Sequence, residues 1–85
     1  MKREKFTYGQ LNRALSLLGV SRRSLKDDPR ANVYEHPEWG LITILPALPE
    51  SDRVYSHHFA AVRFLLDQLG IIDAKDFDAE LQKAG

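Results

Sequence analysis

The sequence predicts a small α+β domain in the order helix, three-stranded antiparallel sheet, helix, with a short C-terminal helix. Three observations carry this. Residues 32–48, NVYEHPEWGLITILPAL, read as a β-hairpin. Two segments on either side of it repeat apolar residues at helical spacing. The chain has 85 residues, and folding at that size buries roughly 60–65% of the unfolded surface, enough for one modest core.

The first helix has a strong start signal. Thr7 and Gln10 form a T-x-x-Q capping box, with Phe6 and Leu11 at the staple positions around it. Leu11, Ala14, Leu15 and Leu18 follow at i, i+3, i+4 and i+7, Leu17 widens the stripe, and Gly19 ends the helix. Residues 20–31 admit two readings. In one, Val20 to Leu25 form a strand and Lys26-Asp27-Asp28-Pro29-Arg30 a loop, since Pro29 disfavours a helical Asp28. In the other, Leu18 to Leu25 form a helix-turn-helix junction, with Ser21 capping a short DNA-recognition helix.

The hairpin pairs Val33 and Tyr34 with the run Leu41-Ile42-Thr43-Ile44-Leu45 across a turn at residues 36–40. That run leaves neither face fully polar, so it is expected to be the central strand, with helices on one side. Residues 46–55 read as loop, with Pro46, Pro49, Glu50, Ser51 and Asp52. Ser56 is expected to cap a second helix ending at Gly70, its stripe formed by Phe59, Val62, Leu66 and Leu69 and broadened by Leu65. Ile71 and Ile72 suit the apolar contact of a glycine C-cap. Asp73 opens a short third helix with Ile72 and Phe77 as its staple and Leu81 one turn on, and residues 82–85 are expected to fray.

Composition bounds the function. Hydrophobic residues make up 44% and charged residues 28%, ordinary for a soluble globular protein. No apolar run is long enough to span a bilayer, and the opening MKREKFTYGQ lacks the apolar core of a secretory signal. The absence of cysteine excludes disulfides and thiolate zinc sites and fits a cytoplasmic protein. The net charge is zero but polarised. Residues 1–30 carry eight Lys/Arg against three Asp/Glu, a net +5, and residues 31–85 carry four against nine, a net −5. Such a basic half either meets a phosphate backbone or simply keeps the surface solvated.

His57 and His58 are the candidate acid–base residues. Adjacent helical residues point about 100° apart, so the pair does not suit one metal ion, and no metal or cofactor is expected. The competing reading has one of them packed on the sheet and the other in solvent. No Gly-rich phosphate loop, GxSxG motif or diagnostic carboxylate pair is present. Trp39, at the hairpin turn, is either folded back onto the sheet or offered to a partner.

The order and texture of the chain resemble the HicA-like family of small toxins. The features are Leu17-Leu18-Gly19-Val20 closing the first helix, Tyr34-Glu35-His36-Pro37 entering the turn, the apolar strand 41–45, and the closing helix Ala61-Val62-Arg63-Phe64-Leu65-Leu66-Asp67-Gln68-Leu69-Gly70-Ile71 with its Asp/Phe/Leu tail. They cover residues 6–81. The resemblance implies a fold like the double-stranded-RNA-binding domain, messenger-RNA cleavage, and neutralisation by a partner antitoxin. It also implies a Gly-Ser-His at the start of the strand before the turn, the histidine serving in RNA cleavage. This chain has Pro29, Arg30 and Ala31 there, and a methyl group transfers no proton. The expectation is therefore a domain that binds RNA, through Arg22, Arg23, Lys26 and Arg30, or an antitoxin-like protein, through Trp39, without cutting. Three alternatives stay open: an RNA endonuclease using His57 or His58, the helix-turn-helix module, and a plain interaction domain.

Overall fold

A computed structural model describes residues 2–84. The chain runs β1 (Arg3–Thr7), α1 (Tyr8–Leu17), β2 (Ser21–Leu25), β3 (Asp28–His36), β4 (Gly40–Pro46), β5 (Arg53–Tyr55), α2 (Ser56–Gln68) and α3 (Ala74–Ala84). The strands form two sheets, an antiparallel β2-β3-β4 and a two-stranded β1-β5.

The start of α1 follows the sequence reading. Gln10 N donates to Thr7 Oγ1 (3.3 Å) and Thr7 N to Gln10 Oε1 (2.8 Å). The next free donors of the helix end, Tyr8 N and Gly9 N, reach the carbonyls of Asp52 and Glu50 at 2.9 and 3.0 Å. Gly9 suits that approach, because a Cβ on it would lie 3.2 Å from both the Cβ and the carbonyl oxygen of Glu50, and Glu50 would have to shift by a few tenths of an ångström. Thr7→Ala is expected to cost about 1 kcal/mol, read as a lowered urea midpoint at unchanged m-value. At the far end, Gly19 takes φ +85° as the C′ residue.

Residues 21–25 are a strand, which overturns the helix-turn-helix reading. The segment is held by pairing with β3, Ser21 opposite Glu35 and Arg23 opposite Val33. Only Lys26 and Asp27 separate the two strands, so β3 begins much earlier than Val33. Pro29 is tolerated in it because pairing with β4 starts at Ala31, opposite Pro46, so no ladder bond on that side is lost. Thus β3 is the central strand, and the apolar run 41–45 lies in the edge strand β4. A bulge explains the mixed apolar pattern. Tyr34 pairs with Thr43 but Glu35 with Leu41, leaving Ile42 as the extra residue. Ile42 and Leu45 enter the core, while Leu41 and Ile44 stay 58% and 49% exposed on the outer face.

Two strands lie where the sequence suggested none. β5 falls in the expected loop, and its three residues are too few to show a period. β1 reads as a charged tail because Arg3, Glu4 and Lys5 precede its one aromatic residue. Ser56 is also not the cap of α2. Tyr55 holds that position, while Ser56 N donates to the Lys2 carbonyl (3.0 Å) and Ser56 Oγ to Glu4 Oε2, because β1 brings those acceptors alongside.

The core joins Leu11, Ala14 and Leu15 of α1, Tyr34, Ile42 and Leu45 of the larger sheet, Val54, Val62 and Leu66, and Phe77 and Leu81 of α3. α3 has 11 residues and continues through Ala84, so residues 82–84 are helical rather than frayed, and Gly85 lies outside the described residues.

Candidate functional site

The two histidines expected at the start of α2 come together with Tyr55 and with two side chains the sequence did not single out, Arg3 and Tyr8. β1 pairs Arg3 with Tyr55 of β5, and Tyr55 leads directly into α2. The Arg3 guanidinium lies 4.1 Å from the centre of the Tyr55 ring, donating to Tyr55 Oη (2.6 Å) and to the Arg53 carbonyl (3.2 Å). The His57 and His58 rings stand 4.2 Å apart, and both border Tyr55. From below, Tyr8, only 2% exposed, forms a 2.9 Å hydrogen bond between its hydroxyl and His58 Nδ1.

The hydrogen bonds assign the roles within this group. Tyr8 Oη also accepts from Tyr55 N (3.2 Å). The acceptor within reach of its own proton is His58 Nδ1 (2.9 Å), and with that bond made the neutral imidazole carries its proton on Nε2. Burial first, and then the neighbouring His57, lower the His58 pKa below 6.5, so this neutral form is favoured. Burial raises the Tyr8 hydroxyl's pKa, which keeps it a donor. His58 thus offers a donor at Nε2 rather than a basic lone pair. His57 is exposed and has the freer imidazole. The signal for Tyr8, Arg3 and Tyr55 was weak in the sequence, since each joins the group through a strand pair or buried ring about 50 residues away in the chain.

The four basic candidates do not converge. Neighbouring strand residues face opposite ways. Arg22 therefore lies on the Tyr34 side of β2, 3.8 Å from Glu50, and Arg23 on the Val33 side, bonded to Glu35. Lys26 is at the exposed β2–β3 turn, and Arg30 meets Asp28 at 3.1 Å. Below Arg22, the buried Tyr34 hydroxyl donates to Asn12 Oδ1 (2.6 Å). Burial is the main cause raising its pKa.

Ala31 lies on β3, on the same side as Val33 by strand alternation. Trp39 stands at the hairpin tip, 49% exposed and not folded into the core. Among the described residues no group of three or more His, Cys, Asp or Glu side chains comes together to hold a metal ion, and no helix is long and apolar enough to cross a membrane.

No family model, no curated protein and no solved structure matches the chain. The class is therefore the one the fold itself defines: a small compact α+β domain with three helices, a three-stranded antiparallel sheet and a separate two-stranded sheet.

Proposed function

We propose that the chain is a HicA-like domain that works by binding a partner, not by cutting RNA. The α1-β2-β3-β4-α2 order supports this, since it is the order expected of the double-stranded-RNA-binding-domain-like fold, with β1-β5 and α3 added. The observation that carries the reading is Ala31, a methyl group on β3 at the position where the resemblance calls for an imidazole. His58 does not replace it, because its Nδ1 is held by Tyr8. The partner is a protein of the antitoxin kind in preference to RNA. Arg22, Arg23 and Arg30 each face a carboxylate and are divided between faces, whereas Trp39 and Leu41 offer apolar surface at the hairpin tip.

One assay tests this: cleavage and binding of RNA by the chain beside its Ala31→His variant. The unaltered chain is expected to leave RNA intact and to bind it weakly, with a shallow dependence on salt, because its arginines are paired with carboxylates and divided between faces. Gain of cleavage in Ala31→His supports the register. Cleavage by the unaltered chain overturns the reading. The second reading, an endonuclease, is favoured by the grouping of His57 with Arg3 and Tyr55, and it requires that such cleavage be lost in His57→Ala.

A further inference from the structure

We infer that the free edge of β4 is a self-association site, where two copies of the chain pair their β4 strands antiparallel about a twofold axis. The two edges of the larger sheet differ sharply. β2 presents Ser21-Arg22-Arg23-Ser24-Leu25, with adjacent arginines. Charges of this kind protect an edge, and two β2 strands brought together would oppose like charges. β4 presents Gly40-Leu41-Ile42-Thr43-Ile44-Leu45-Pro46, seven residues without a charge, hydrogen-bonded to β3 on one side and, among the described residues, to no strand on the other. Its row of backbone donors and acceptors is a template for another strand.

The occupant is argued from charge and symmetry. An uncharged strand meets no like charge in an antiparallel copy of itself, and a twofold axis makes that contact self-complementary. The chain's zero net charge adds no long-range repulsion between copies. On the outer face, Arg23 is already neutralised by Glu35. Ile44, half exposed there, would cover its counterpart next to the buried Val33 opposite it in β3. The bulge at Ile42 and the missing N–H of Pro46 confine regular pairing to the short stretch between them. The interface is consequently small and the association weak and reversible. This inference does not rest on the proposed function, since a nuclease with the same edge would pair in the same way.

Sedimentation of the full chain over a rising concentration series tests it. The weight-average mass should climb from that of one chain, 9.7 kDa, toward that of two. Ile44→Lys and, separately, Ile44→Glu should weaken association by roughly tenfold or more, with circular dichroism unchanged. Ser24→Lys, on the β2 edge, should leave it as it is. The inference is overturned by a one-chain mass at every concentration, by open-ended growth beyond two chains, or by association that survives both β4 variants and is lost in Ser24→Lys. Should one β4 variant unfold, the other decides.

Discussion

Phe77→Ala is expected to destabilise the domain by about 3–5 kcal/mol, a large part of the about 5–15 kcal/mol that holds a domain together. The Phe77 ring is fully buried and stacks near-parallel on Phe59, centroids 6.1 Å apart. Phe59 in turn meets Phe6 edge-on at 4.9 Å. One aromatic column thus ties α3 to α2 and β1. Removing its end leaves a cavity that the surrounding helices cannot readily close, because Leu81 and Leu66 already pack fully into the same core. Urea unfolding should show a single transition at a much lower midpoint. Phe64→Ala, at a side chain 62% exposed, should move the midpoint little. If the two variants shift it equally, α3 is peripheral and the account of the core fails.

How far the fold could be read in advance depended on whether the signal was local. Thr7 and Gln10 sit three residues apart, and their bonds form within one turn, so the start of α1 was legible. Gly70 likewise ended α2 as expected, at φ +73° with Ile71 N bonded to the Leu66 carbonyl. The two-stranded sheet was not legible. Arg3 meets Tyr55 and Thr7 meets Arg53 only after half the chain has folded between them. The same separation hid the site. His57 and His58 were visible as a pair, but Tyr8, which fixes the tautomer of one of them, belongs to α1. The exchange of edge for centre has another cause. Apolar residues on both faces of residues 41–45 imply burial on both sides, yet a bulge directs Ile42 inward and leaves Leu41 and Ile44 outside.

Tyr8→Phe is expected to cost about 1–3 kcal/mol, because it removes one hydroxyl that serves two groups and leaves Tyr55 N–H and His58 Nδ1 without that partner. The ring itself still fills its place in the core. The loss therefore measures the hydrogen bonds and not a cavity. His58 adds a pH dependence of defined sign. Its pKa is lower in the folded chain than the 6.5 of the free group. Above about pH 6.5 both states carry a neutral imidazole and it contributes no slope. As pH falls below that value the unfolded chain takes the proton first, so stability drops until the folded pKa is passed. His58→Gln keeps an acceptor for the Tyr8 proton and cannot titrate. Urea midpoints followed from neutral pH downward should fall for the natural chain through this window and stay flatter for His58→Gln. Parallel curves would mean that His58 titrates alike in both states. The hydroxyl of Tyr8 would then be a packing detail, and His58 would be free to act as the base that the geometry now denies it.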